Sequence, residues 1–275
     1  AQARWHGQQD VAGGGHFSGR LTACLCAAGG VALQILARRG IRVAAHIRSI
    51  AGIQDVPFDP VCCGSDQFAA LVGKSFPVLD DEAGLAMQAA IGGARAAQDS
   101  VGGVIECACV GLPAGVGAPM FDGIENVVAK LLFGIPAVKG VEFGAGFAAA
   151  DMYGSQNNDP IVLDEAGHAT CRTNNAGGIL GGISTGMPVI VRAAFKPTPS
   201  IAEEQSTIDI VDGCETHLSV PGRHDPCVVV RAVPVVEAAM ALAVIDCLVS
   251  DGVLGPVNDS AVDPRVLERT RTLFG

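Results

Sequence analysis

Apolar and polar positions along the chain fall into two periods. Ser18 stands before a continuous apolar stretch with helical spacing that runs to about Arg39 and meets Gly40, a residue suited to the turn that ends a helix. Next, Ile41, Val43, Ala45 and Ile47 alternate with Arg42, Ala44, His46 and Arg48, which predicts a strand with one wet face. Asp80, Asp81 and Glu82 put negative charge at the positive end of a second helix, expected over 80–98. Glycine-containing strand sequence follows over 101–110. Asp122 and Glu125 have the spacing of a capping box, ahead of a helix carrying Ile124, Val127, Val128, Leu131 and Leu132 on one stripe. Further strands are expected near 138–143, 189–195 and 207–211, then a long helix over 233–249 and a short polar helix at the end. Helices and strands mix throughout, with no linker rich in Pro, Ser or charge. The pattern predicts one α+β domain over 1–275, with several sheets packed on a few long helices.

Composition narrows what such a domain can do. The chain has 275 residues, 49% of them apolar, enough to bury about three quarters of its unfolded surface. Disorder is excluded. Gly and Pro, at 36 and 15 residues, stay below the roughly 25–30% share of low-complexity chains. With 36 Gly beside 10 Phe, 1 Trp and 1 Tyr, the core has to be built from Ala, Val, Ile and Leu. The net charge of −10 argues against a nucleic-acid face and an anionic membrane surface, both of which need clustered Lys and Arg. A small anion can still be held by a few arginines and the N–H groups of a helix start. The longest charge-free apolar run, 21–37, contains Thr22, Gly29, Gly30 and Gln34 and falls short of the roughly 20 residues of a membrane span. Ten cysteines include the pairs Cys24/Cys26, Cys107/Cys109 and Cys62/Cys63, without C-x₂-C. They read as small buried hydrophobes rather than a metal site. With no signal-peptide pattern, they suit a reducing cytoplasm.

Three regions have compositions suited to ligand contact. Gly13-Gly14-Gly15-His16-Phe17-Ser18-Gly19-Arg20 precedes a helix, where glycines let backbone approach a ligand and free N–H groups attract an anion. Arg20 is poorly placed for the helix dipole, which suggests an anion in front of it; a plain glycine turn with an N-cap serine has the same sequence. The stretch 173–186, T-N-N-A-G-G-I-L-G-G-I-S-T-G, resembles a polar loop wrapped on a ligand and lacks the dinucleotide order G-x-G-x-x-G. Lys196-Pro197-Thr198-Pro199-Ser200 follows, a stiff loop presenting one ammonium and two hydroxyls, as a phosphate cradle or as an ordinary Pro-rich turn. In Gly222-Arg223-His224-Asp225-Pro226-Cys227, His224 and Asp225 are acid–base types, but neighbours in extended chain point to opposite sides and are not expected to form one dyad.

In order, G-G-G-H-F-S-G-R-L-T-A, D-S-V-G-G-V-I-E, G-L-P-A-G-V-G-A-P-M-F-D, I-P-A-V-K-G-V-E-F-G, the 173–186 stretch, F-K-P-T-P-S and G-R-H-D-P-C resemble the chorismate synthase family. The likeness runs from about Gln9 to the helix near Val249, and Glu237 keeps the family's spacing from Asp225. It implies an α+β fold, a β-α-β sandwich with helices packed between antiparallel sheets, assembled as a homotetramer. It also implies reduced FMN as cofactor and 1,4-elimination of phosphate from 5-enolpyruvylshikimate 3-phosphate to give chorismate. The flavin would be reduced by the enzyme with NADP or by a separate flavin reductase. No metal, nucleic acid or membrane is implied.

Position by position, the resemblance places His16, Phe17 and Ser18 against FMN, Pro136 and Ala137 at a flavin contact made from a second subunit, and Gly181 close to the cofactor. It places Lys196, Pro197, Thr198, Pro199 and Ser200 around the FMN phosphate. Arg223 matches an arginine where flavin and substrate meet, and Arg20 one that holds the substrate's anionic groups. Asp225 matches the acid near the flavin and is the expected proton acceptor. Many relatives have Arg-Ser-Ser at positions 16–18, and Pro136 replaces a frequent Asn. The family's G-E-S-H-G and R-P-G-H-A-D stretches, whose histidines serve as its acids, do not occur in the 275 residues. His6, His46, His168, His217 and His224 match neither. The chain thus resembles the carboxy-terminal two thirds or so of the enzyme, incomplete at the amino terminus, and is expected to be inactive alone. The alternative is a non-catalytic FMN- or anion-binding remnant of the same fold.

Overall fold

The computed structural model describes residues 2–8, 12–222 and 224–253. A single turn, α1 (Gln2–Trp5), and a 3₁₀ turn over Ala12–Phe17 lead into α2 (Thr22–Ala37); β1 (Arg42–Ile50), β2 (Ile53–Gln54), α3 (Ser65–Leu71), α4 (Asp81–Ala96) and β3 (Gly103–Val110) follow. Then come α5 (Ile124–Phe133), β4 (Val138–Phe143) and the turn α6 (Gly154–Asn157). Two small hairpins, β5 (Ile161–Leu163) with β6 (Ala169–Cys171) and β7 (Ile179–Leu180) with β8 (Ile183–Ser184), precede β9 (Val189–Phe195). The hairpin β10 (Gln205–Asp209) with β11 (Cys214–Leu218) and the long α7 (Val229–Ser250) complete the described chain. The main sheet has the order β2-β1-β3-β9-β4 and is antiparallel throughout.

The core follows from strand alternation. Val43, Ala45 and Ile47 on β1, Ile105, Cys107 and Cys109 on β3, and Val189, Val191 and Ala193 on β9 are buried in one cluster with α7 and α5. These side chains are small, so the helices sit close to the sheet and to one another. Gly29 marks the crossing of α2 and α7: a Cβ there would lie 2.2 Å from the Cβ of Ala238. By length and composition alone, 19–37 and Val229–Ser250 could cross a membrane. The second has 67% of its apolar window buried on the sheet, as a core helix does, whereas α2 remains largely exposed.

β1 departs from the sequence pattern, because both of its faces are covered. Ala44 and His46 are buried beneath the segment that carries Phe58 and Phe68. On this face polar residues stand opposite one another across four strands: His46 faces Glu106, Glu106 faces Arg192, and Arg192 faces Glu142. His46 Nδ1 lies 2.8 Å from Asp55 and Nε2 lies 3.1 Å from Glu106. Glu106 also accepts from the Phe58 N–H at 2.7 Å, and Arg192 Nε donates to Glu142 at 2.7 Å. Ionised carboxylates only accept, so an imidazole serving both donates from both nitrogens and carries a charge. Burial opposes that charge, but the hydrogen bonds to Asp55 and Glu106 and their negative charges outweigh it and raise the His46 pKa. Burial likewise works against the Asp55 carboxylate, yet His46 and the N–H groups of Leu79 and Asp80 hold its pKa below the usual value. A local pattern reads His46 as wet because its partner Glu106 is 60 positions away.

Other differences have local causes. Ser18 caps the 3₁₀ turn Gly19–Leu21 rather than α2 itself, and Asp80 caps α4 by accepting from the Glu82 N–H. The Asp122–Glu125 capping box does not form; Asp122 ends a 3₁₀ turn, and α5 starts at Ile124, whose N–H donates to Gly182. β10 stops at Asp209, because the Asp209 side chain accepts from the Val211 and Asp212 N–H groups and turns the chain there. α7 begins a turn earlier than expected and runs through Pro234. The closing polar helix lies outside the described residues. Among the cysteines, Cys63, Cys107, Cys109, Cys227 and Cys247 are buried, and Cys24, Cys62 and Cys214 are exposed.

Candidate functional site

Five of the sequence motifs meet at one end of the main sheet. β9 ends at Phe195, and the Lys196 N–H donates to the Ala137 carbonyl at 2.9 Å, which joins the K-P-T-P-S loop to the turn before β4. Ala137 has φ +76°, a strained conformation for a residue with a side chain. D-S-V-G-G packs behind the K-P-T-P-S loop without lining the cavity itself. Ser100 Oγ donates to the Thr198 carbonyl at 2.7 Å, and the Val101 N–H donates to the Pro226 carbonyl at 2.8 Å. Gly102 lets the loop pass: a Cβ there would lie 2.4 Å from the Phe195 carbonyl oxygen and 3.1 Å from Pro197 Cδ. The glycine-rich segment arrives from the other side, where Ser18 Oγ accepts from the Arg20 N–H and Nε.

These segments enclose a cavity of about 840 Å³. Of the residues singled out from sequence, His16, Phe17, Ser18, Arg20, Pro136, Ala137, Lys196, Thr198, Pro199 and Asp225 line it. Pro136 and Ala137 do so from the same chain as Lys196. Pro197 and Gly181 do not line it; Gly181 lies in the turn between β7 and β8. Ser200 lines a neighbouring polar pocket of about 190 Å³ with Arg95, Gln98 and His224, and Asp225 borders both. Arg223 lies outside the described residues.

The cavity gathers cationic residue types, His16, Arg20, Lys196 and Arg231, around one carboxylate, Asp225. Apolar surface comes from Phe17, Ile135, Phe195, Val228 and Val235. Thr198 Oγ1 is buried without a hydrogen-bond partner among the described residues, an uncompensated group of the kind a polar ligand satisfies. A volume within the usual range of ligand sites, an apolar wall, and an ammonium beside an orphan hydroxyl suit a flat ligand with an anionic end, a description that FMN satisfies.

Sequence reasoning missed Arg231. Its Nε donates to Asp225 Oδ2 at 2.9 Å; the available signal was an arginine in the first turn of a helix, six positions after the acid. The 173–186 stretch serves the fold instead of this cavity. Asn174 is buried, donating to the Pro60 and Pro188 carbonyls and accepting from the Gly178 N–H. Ser184 donates to Pro113 and accepts from the Val116 N–H. A groove of about 680 Å³ flanked by α2, α7 and β1 holds Glu237, whose carboxyl is pushed up to about 7 by burial. Among the described residues no group of three or more His, Cys, Asp or Glu could hold a metal ion.

Comparison with known proteins places these features in context. A family model described as chorismate synthase matches residues 1–249. The chorismate synthase of Lancefieldella parvula is 44% identical over 260 residues, covering 91% of this chain and 68% of that protein. That of Korarchaeum cryptofilum is 47% identical over 247 residues, covering 90% and 67%. The crystal structure of a chorismate synthase is similar with a TM-score of 0.71 at 27% identity, covering 93% of this chain and 70% of that one. The chain spans about two thirds of the length of these relatives.

Proposed function

Because the chain belongs to the chorismate synthase family, we propose that its large cavity serves the 1,4-elimination of phosphate from 5-enolpyruvylshikimate 3-phosphate to chorismate. In that reaction a ring C–H bond breaks, a C=C bond forms, and phosphate leaves with the electron pair of its C–O bond, with no net redox change. Reduced FMN, when bound, supplies electron density that assists phosphate departure and is recovered afterwards. Asp225, the single carboxylate among the described residues that line the cavity, takes the ring proton. Arg20, steadied by Ser18 Oγ, holds an anionic group of the substrate, while Lys196 and Thr198 hold the cofactor's phosphate and Ser18 lies against the flavin. Phe17 and the apolar wall exclude water from the reacting atoms. The observation that carries this reading is the convergence of four separate motifs on one cavity, with cations, a buried orphan hydroxyl and, among the described residues, one carboxylate. A cytoplasmic homotetramer, supplied with flavin reduced by the enzyme with NADPH or by a separate flavin reductase, completes the proposal.

Flavin fluorescence titration tests the cofactor assignment. A hydrogen bond to a charged group contributes roughly 1.5–3 kcal/mol, so Lys196→Ala is expected to weaken FMN binding about ten- to a hundredfold. An unchanged dissociation constant removes Lys196 from the site. Under anaerobic conditions with reduced FMN and substrate, this chain alone is expected to form no chorismate above background. The two family histidine motifs are not in its sequence, and acid–base groups contribute on the order of 10²–10⁴-fold each. Chorismate formed by the chain would assign the missing proton to another histidine, His16 first.

A further inference from the structure

Arg231 occupies a position that local helix electrostatics disfavours. It sits in the first turn of α7, where backbone N–H groups already carry partial positive charge. A cation there calls for an anion in front of it, and Asp225 supplies one through Nε alone, at 2.9 Å. A guanidinium is a planar fork of five N–H donors. The two Nη groups of Arg231 make no hydrogen bond or ion pair with other described residues, and the side chain lines the cavity.

We propose that Arg231 is a positioning residue for Asp225: one edge of its guanidinium fixes the carboxylate, and the other takes an anionic group, phosphate or carboxylate, of the ligand. This rests on the reading of Asp225 as proton acceptor. The consequence is coupling. The carboxylate and the ligand's anionic group share one guanidinium, so each fixes its orientation for the other. With its side chain 83% exposed, Arg231 is screened by water in the open cavity, and a ligand that displaces that water strengthens both contacts.

The test measures binding of inorganic phosphate by calorimetry at one fixed pH and follows the Asp225 side-chain carboxyl by ¹³C NMR, assigned with Asp225→Asn. The chain is compared with Arg231→Gln and Arg231→Lys, each checked for native circular dichroism. Arg231→Gln is expected to weaken phosphate binding about tenfold and to remove the shift that phosphate induces in the Asp225 carboxyl resonance. Arg231→Lys is expected to recover less than about half of either effect, because an ammonium has no second edge. Equal phosphate affinity in the chain and Arg231→Gln would overturn the proposal, and so would full recovery by lysine. A chain that binds phosphate through Arg231 but does not bind FMN refutes the cofactor reading and leaves this pairing standing.

Discussion

Replacing His46 with leucine is the most direct test of how the main sheet is held. The side chain is fully buried, with ring nitrogens 2.8 Å from Asp55 and 3.1 Å from Glu106. Two charge-assisted hydrogen bonds at about 1.5–3 kcal/mol each set the upper range. Asp55 keeps the Leu79 and Asp80 N–H groups, and Glu106 keeps the Phe58 N–H, so the stranded carboxylates are not left bare. Breaking a buried pair from one side typically costs about 3–5 kcal/mol, and that is the loss expected. Urea unfolding followed by far-UV circular dichroism measures it, with an unchanged m value as the sign of a two-state comparison. The pH dependence sharpens the test. His46 binds its proton more tightly folded than unfolded, so its stabilisation is complete below the ordinary value of 6.5 and is lost as pH rises through the higher folded value. Asp55 acts in the opposite sense: its contribution is present above 3.8 and is lost as pH falls through the lower folded value. In His46→Leu the alkaline decline due to His46 should vanish. A loss below about 1 kcal/mol, or an alkaline decline of undiminished size in the variant, would refute the charged-imidazole account.

Gly102→Ala would put a methyl group 2.4 Å from the Phe195 carbonyl; an overpacking cost of about 1–3 kcal/mol and several-fold weaker FMN binding are expected, and unchanged melting and affinity would show that the loop is positioned elsewhere. Glu237, pushed up to about 7 by burial, holds its proton more tightly folded than unfolded, so its linkage lowers stability as pH rises from about 4.5 to about 7. Glu237→Gln should remove that slope and gain about 2–3 kcal/mol near pH 8, and denaturant midpoints that keep the wild-type slope would contradict it.

Much of the fold was legible because it is local. β4 and β9 have the expected limits, and α2 and α4 lie within theirs, since alternation, helical period and the Asp80 cap act over a few residues. What escaped depends on distant partners. The inner side of β1 is wet by pattern and dry in the fold because Glu106 and Phe58 arrive from elsewhere. The small hairpins β5–β6 and β7–β8 have two or three residues per strand, too few for a period to register. For the site, the segments were identifiable, and most of the individually predicted site residues line one cavity, whereas the 173–186 stretch does not. Arg231 was not, because its meaning comes from its distance to Asp225 rather than from a helix beginning with arginine.

The walls of the large cavity are clamped by contacts between segments far apart in the chain: Ser100 to Thr198, Val101 to Pro226, and Lys196 to Ala137. Such a cavity cannot exist until the central strands have found one another, so ligand-binding capacity should be among the last properties recovered on refolding. It also means that an occupant bridging Lys196, Asp225 and Phe17 acts as a non-covalent cross-link on three loops at once. Its binding energy is returned to the whole sheet by mass action, about 2.7 kcal/mol at a hundredfold excess over Kd. For a chain whose sheet is lined with alanine, cysteine and valine rather than large aromatics, resistance to unfolding in the cell would then track how well the site is supplied with its ligand.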